Sequence, residues 1–276
     1  MRPTLLPEDG LALPQALRFV TVGTHRLETR WIAPLRDDAP VLVFLHEGLG
    51  CIDMWRDFPA RVAAATGCAA LLYSRYGYGR STVRQGEARG TDYLHVEALD
   101  ALPALLDALG IHDPVLIGHS DGGSIALIHA ARARRRVRGV VAMAPHEFVE
   151  DITLAGIRKA REMWELTDLR ARLGRFHDDP DGVFLSWNDT WQMPAFRTWN
   201  IVDELAAIAC PVLAIQGEDD EYATLRQIEV IAEHVADTEL LALADCRHSP
   251  HRDQPQAVIE AIARFVVRVQ GPGKGY

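Results

Sequence analysis

The stretch Pro114-Val115-Leu116-Ile117-Gly118-His119-Ser120-Asp121-Gly122 sets an apolar run, a G-x-S-x-G turn and the start of a helical pattern end to end. The apolar run reads as a strand buried on both faces. Apolar residues recurring every three to four positions over 122–134 read as a helix. A sharp strand-to-helix turn centred on Ser120 leaves no room for side chains two residues to either side, which accounts for Gly118 and Gly122. Such a turn lifts the Ser120 hydroxyl above the sheet. It also aims the helix N-terminus, with its free N–H groups and positive dipole end, at any charge developing there.

Working outward, runs of the same kind recur at Val41–Leu45, Ala69–Tyr73, Val140–Met143, Pro211–Ile215 and Glu239–Leu243. From Arg18 to Ile32, two β-rich segments flank the Gly23-Thr24 turn signal and predict an antiparallel hairpin. Helical patterns fall over 54–66, 91–109, 224–236 and 254–269. Strands alternating with helices imply an α/β, doubly wound, mostly parallel sheet. The rhythm stops between Pro145 and Cys210, where there is no strand signal but there are helical segments and Trp164, Trp187, Trp191 and Trp199. The expectation is a core formed by 1–145 and 206–276, interrupted by a helical lid over 146–205.

The 276 residues are 48% apolar and 24% charged, with 21 Gly and 15 Pro, which excludes a disordered, collagen-like or stapled miniature chain. A net charge of -9 argues against a nucleic-acid partner, since such binders present a basic field. Five arginines lie between Arg132 and Arg138; they read as a solvated face near a helix C-terminus, where cations complement the macrodipole. Cys51, Cys68, Cys210 and Cys246 form no CxxC pair, so a reducing compartment is the simpler reading. Met1 to Gly10 carries no secretory pattern, and no apolar stretch approaches the roughly 20 residues of a membrane span. A cytoplasmic protein with a small-molecule substrate is expected, a homodimer being the one protein partner left open. The tail Gly271 to Tyr276 is expected to fray.

On the G-x-S-x-G and its flanking strand and helix, the chain resembles the α/β-hydrolase family, and the resemblance extends from about Arg18 to Val267. It implies a serine nucleophile, Ser120, with a base and an acid following in that chain order as acid, then histidine. Asp245-Cys246-Arg247-His248 follows the last apolar run, and His248 stands where the family's histidine would, with Arg247 in place of the customary glycine. His251, three residues on, is a rival that also reads as a polar residue opening the last helix. Gln216-Gly217-Glu218-Asp219-Asp220 supplies the acid, and the family's spacing selects Asp220 over Asp219; Glu147, past the sixth strand, is an outside candidate.

The resemblance places the oxyanion donors on the backbone of Asp121 and of Gly48, within His46-Glu47-Gly48-Leu49-Gly50. Glu47 replaces the family's usual glycine, and whether it has a catalytic duty stays open; a carboxylate there repels an oxyanion unless it points away or is paired. Arg75-Tyr76-Gly77-Tyr78-Gly79-Arg80-Ser81 resembles a structural turn of the family, with Ser74 where an aspartate is common. As a dinucleotide fingerprint it fails, because Thr82 occupies the third glycine's place, so no cofactor is expected. Cys246, His248, His251 and Asp253 lack a second ligand pair, so no metal is expected. Glu47, His146, Trp187 and Trp191 are the candidate substrate-binding residues, and His119 reads as packing.

A serine at the turn, where dehalogenase and epoxide hydrolase branches carry aspartate, leaves acyl transfer: cleavage of small carboxylic esters, with lactones and thioesters next. A carbon–carbon bond hydrolase of ring-cleavage products is the enzymatic alternative. It requires a cationic or amide-rich pocket that Arg158, Arg161 or Asn188 could supply. A non-catalytic ligand-binding member of the fold is the alternative from outside enzymology.

Overall fold

The computed structural model describes residues 17–36, 39–86 and 89–270; Met1 to Gly10 and Gly271 to Tyr276, on which two expectations rest, lie outside them. Strands apolar on both faces must be covered on both, and this governs the architecture. The strands are β1 (Arg18–Val22), β2 (His25–Ile32), β3 (Val41–Leu45), β4 (Ala69–Tyr73), β5 (Val115–His119), β6 (Gly139–Met143), β7 (Val212–Gly217) and β8 (Thr238–Leu243). Every residue of β4, β5, β6 and β7 is buried. They form one sheet in the order β1-β2-β4-β3-β5-β6-β7-β8. The β1–β2 hairpin and the β2–β4 pair are antiparallel, and all other pairs are parallel.

Alternation along each strand divides the core in two. Val43, Leu45 and Leu116 face one layer, with Leu102, Leu106, Ile125 and Ile231 from its helices. Phe44, Val115 and Ile117 face the other, with Phe58 and Val62 of the helix Phe58–Thr66 and Val258, Ile262 and Phe265 of the helix Pro255–Gln270. The chain runs outward from β3 to β4 and then returns past β3 to β5, so the strand order reverses between β3 and β5. In open parallel sheets the crevice beyond the strand ends at such a switch is where ligands collect. Loop 46–50 and Ser120 both stand there.

Helix boundaries depart from the periodicity more than strands do. The pattern over 54–66 is broken: a 3₁₀ turn, Ile52–Trp55, ends at Arg56 with φ 54°, and the α-helix begins at Phe58. The pattern over 91–109 resolves into Tyr93–Val96, a π turn Glu97–Ala101 and Leu102–Ala108. Pro103, which has no N–H to give, follows immediately. β5 extends to His119 because Gly118 and His119 pair with Ala142 and Met143 of β6.

Residues 146–205 carry the helices Asp151–Leu166, Leu169–Leu173, Pro180–Gln192 and Val202–Leu205. Their two ends meet: Phe148 and Asn200 form an isolated antiparallel bridge, and Ile201 N–H donates to the Glu147 carbonyl at 2.8 Å. Trp164 stacks on Phe184 at 4.2 Å, fastening the first of these helices to the third. In the arginine run, Arg132, Arg135, Arg136 and Arg138 pair with Glu204, Asp107 and Asp113. No helix among the described residues is long and apolar enough to cross a membrane.

Candidate active site

Ser120 sits at the turn with φ 53° and ψ -119°, a left-handed conformation that costs a non-glycine residue energy. Its N–H donates to the Met143 carbonyl at 2.9 Å, which ties the strained residue to β6. A Cβ at position 118 would fall on the Gly122 carbonyl, and one at 122 would fall on the Leu45 carbonyl, so both glycines are needed for this close approach.

The structure brings His248 and Asp220 to this serine from two separate loops. His248 Nε2 lies 3.0 Å from Ser120 Oγ, and its Nδ1 lies 2.8 Å from Asp220 Oδ2. Asp220 also accepts from Gln216 Nε2 at 2.5 Å and from the Tyr222 N–H at 2.8 Å, which fixes both carboxylate oxygens. Asp219 does not take this place, and it is exposed. Burial alone would lower the His248 imidazole, but the Asp220 carboxylate overrides it and holds the ring above its ordinary value. Burial in turn raises Asp220, and His248 outweighs that, leaving the carboxyl below the usual carboxylate range.

The rival histidine is elsewhere. His251 packs against Trp55 and Phe58 with ring centroids 4.9 and 5.4 Å away, and burial pushes it well below its ordinary value. Glu147 is wholly buried, and neither of its oxygens finds a hydrogen-bond partner among the described residues. Burial raises it well above the ordinary carboxylate value, which suits a neutral acid rather than an orienting anion.

Ser120 opens into a cavity of about 270 Å³. Gly48 and Asp121 border it beside the serine, as do all four residues expected to meet substrate: Glu47, His146, Trp187 and Trp191. Its far wall is Ile157, Leu169 and Leu173. Trp187 rests directly on loop 46–50, since a Cβ on Gly48 would collide with the indole Nε1. His146 is held at its main chain by Ser124 Oγ, which donates to its carbonyl at 2.7 Å and accepts from its N–H at 3.0 Å. Burial lowers the His146 ring to about 3, so it faces the cavity neutral. Two of the four tryptophans therefore shape the cavity; Trp164 and Trp199 stack on Phe184 and Phe196.

Some participants escaped the sequence reading. Only the backbone of Asp121 was expected to matter, yet its buried side chain accepts from Tyr93 Oη at 3.0 Å and pairs with Arg75 at 3.4 Å. Arg75 also donates to the Glu47 carbonyl at 3.0 Å, and Trp191 Nε1 donates to Tyr93 Oη at 2.9 Å. The turn at Arg75 thus reaches the site as well as shaping the chain. Tyr222 and Thr153 line the cavity, and Thr153 Oγ1 donates to the Tyr222 carbonyl at 2.6 Å. Tyr222, two residues beyond the acid, was within reach of the same motif. His119, expected only to pack, donates from Nε2 to the carbonyl of His248 at 2.7 Å. Among the described residues, no cluster of three or more His, Cys, Asp or Glu could hold a metal ion.

The profile of the alpha/beta hydrolase family matches residues 42–261. The chain belongs to that family. Among curated members, it is 27% identical over 261 residues to the 2-succinyl-6-hydroxy-2,4-cyclohexadiene-1-carboxylate synthase of Klebsiella pneumoniae (strain 342), covering 82% of this chain and 94% of that relative. It is 26% identical over 218 residues to a bifunctional esterase/perhydrolase of Acinetobacter calcoaceticus, covering 67% and 75%. Among solved structures, the proline iminopeptidase of Mycobacterium smegmatis superposes with a TM-score of 0.71 at 20% identity, over 92% of this chain and 99% of that one. That likeness speaks to the fold alone. Relatives of this family support hydrolase activity, and the α/β-hydrolase core places Ser120 at its switch point.

Proposed function

We propose that this α/β hydrolase cleaves small-molecule carboxylic esters through an acyl-enzyme, with lactones and thioesters as neighbouring substrates. The observation that carries the reading is the contact of His248 Nε2 with Ser120 Oγ at 3.0 Å, backed by Asp220 at 2.8 Å, at the mouth of a largely apolar cavity. His248 takes the serine proton as Oγ attacks the acyl carbon. The Gly48 and Asp121 N–H groups hold the oxyanion, and Asp220 steadies the imidazolium. The alcohol leaves with the proton from His248, which then activates water to release the acid. Residues 146–205 serve as the lid, with Trp187 and Trp191 forming the acyl wall.

The ester reading is preferred to carbon–carbon cleavage because none of Arg158, Arg161 and Asn188 lines the cavity, and the arginine that does, Arg252, lies 3.7 Å from the Glu47 carboxylate. Arg158 is exposed, Arg161 is paired with Glu165 and Asp189, and the Asn188 amide is spent on the Ile157 carbonyl and on Gln192. The test is mass-spectrometric mapping after exposure to a fluorophosphonate, with Ser120→Ala alongside, followed by a panel of p-nitrophenyl esters. A single adduct on Ser120 and ester turnover are expected. Folded protein that takes no adduct would overturn the proposal.

A further inference from the structure

Glu47 occupies the place beside the oxyanion loop where a negative charge does most harm, so its surroundings need an account. Its carboxylate folds back over Gly50, where any Cβ would strike its Oε2. Oε2 lies 3.5 Å from Nδ1 of His119, and Oε1 lies 3.7 Å from Nη2 of Arg252. The side chain of His119 is 2% exposed and that of Glu47 is 17%. The other ring nitrogen of His119 donates to the His248 carbonyl, which can only accept. Trp55 and His251 enclose the ring, with centroids 6.3 and 4.7 Å from that of His119. The ring of the residue before the nucleophile is thus hydrogen-bonded to the main chain of the base and lies beside the Glu47 carboxylate, although its Nδ1 has no hydrogen-bond partner among the described residues. With Nε2 donating, Nδ1 meets the carboxylate favourably only when it carries a proton as well.

The ring of that base is held by Asp220 and lies 4.8 Å from the ring of Tyr222, and the loop is tied by Arg247 N–H to Asp253 and by the Cys246 carbonyl to Asp219. At its own main chain, the His248 N–H donates to Glu221 Oε2 at a long 3.3 Å, and Asp245, three residues earlier, has φ 51°. The contact from His119 at 2.7 Å is shorter than the one from Glu221.

We propose that Glu47 and His119 are a second carboxylate–histidine pair whose task is to position His248 and the oxyanion loop relative to each other. Both border the cavity, and both act as positioning residues, through His248 and the loop. The proposal rests on the serine hydrolase reading for its kinetic consequence, though not for its structural one. The charged and titratable groups around Glu47 are His46 beside it, Cys51, His119, His177, His248, His251, Arg252, and Arg75 at its carbonyl. Those facing His248 are Asp220, Glu221, Glu47, His146, His119, His251 and Tyr222. Burial opposes ionisation of Glu47, but His119 and Arg252 hold it well below the ordinary carboxylate value. Its negative charge in turn raises His248.

The experiment reads two quantities in wild type, Glu47→Gln, His119→Ala and His119→Gln. One is the rate of fluorophosphonate labelling at Ser120 across pH 5–9. The other is hydrogen exchange of the peptide spanning Asp245–Ser249. Glu47→Gln is expected to slow labelling about tenfold and to move the acid limb to lower pH, because a charge that favours imidazolium is gone. His119→Ala is expected to slow labelling by a similar factor and to speed exchange of the loop. His119→Gln, whose amide can still donate to the His248 carbonyl, is expected to recover most of both. The double variant should be no worse than either single one, since the pair acts as a unit. Wild-type labelling, pH profile and exchange in both Glu47→Gln and His119→Ala would overturn the proposal. Should wild type itself resist labelling, the hydrolase reading falls, and the exchange data alone decide whether the pair holds the loop.

Discussion

Asp220→Asn tests the site with the least disturbance to the fold. Asp220 is 5% exposed, and its two oxygens receive three donors: His248 Nδ1, Gln216 Nε2 and the Tyr222 N–H. An asparagine keeps one acceptor, which the Tyr222 N–H can retain. Its NH₂ then faces Gln216, whose Oε1 is buried without a partner, so a flip of the Gln216 amide satisfies both groups. Stability should stay within about 1 kcal/mol, the scale of one exchanged hydrogen bond. The NH₂ also points at His248 Nδ1 and favours the tautomer whose proton is on Nε2, which cannot take the serine proton. The expected loss in kcat is about 10³–10⁴-fold, or about 4–5.5 kcal/mol of transition-state stabilisation. With the raising influence of Asp220 removed and burial still lowering His248, any residual activity should keep its acid limb to lower pH than wild type. The assay is fluorophosphonate labelling and p-nitrophenyl ester hydrolysis across pH, with a thermal melt as control. Activity of the Asp220→Asn enzyme within tenfold of wild type, or an equal loss in Asp219→Asn, would refute the assignment.

Glu147→Gln separates the buried acid from the active site. The native state holds a proton on Glu147 well above the unfolded value of about 4.3, so between those limits the native chain binds more protons and stability falls as pH rises, by up to about 1.4 kcal/mol per pH unit. The melting-temperature advantage of Glu147→Gln should therefore widen from pH 5 to pH 8, and parallel curves would contradict the buried-acid account. Trp191→Phe removes the donor to Tyr93 Oη and loosens the wall of the cavity. It should cost about 1–3 kcal/mol by denaturant titration and raise kcat/KM for bulkier acyl groups relative to acetyl; unchanged selectivity would place Trp191 outside the acyl pocket.

The strands were legible because burial on both faces leaves an unbroken apolar run, and β3 and β4 begin and end where those runs do. The helices were less so. A 3.6-residue pattern continues across Arg56 and across Pro103, whereas the backbone answers to a left-handed residue in one case and a missing N–H in the other. In the site, Ser120 was marked by its flanking glycines, which geometry demands, and His248 and Asp220 by their places after strand ends. Asp220 could be chosen over Asp219 only through family spacing, since three adjacent carboxylates carry no residue-level distinction.

The parts of the site that escaped notice share a physical cause. His119 donates to the carbonyl of His248, Ser124 to that of His146, Arg75 to that of Glu47, and Thr153 to that of Tyr222. Every residue owns a carbonyl, so the acceptor in each of these contacts leaves no trace in the identity of its residue. Only the fold decides which carbonyl arrives. A motif therefore reveals groups that meet substrate, because chemistry restricts their types, and conceals groups that hold the main chain. Glu47, as proposed, is of the second kind: a carboxylate in the loop beside Ser120 looks like an error until the structure brings His119 and Arg252 to it. Its substitution for glycine becomes intelligible as half of a contact whose other half lies about seventy positions along the chain.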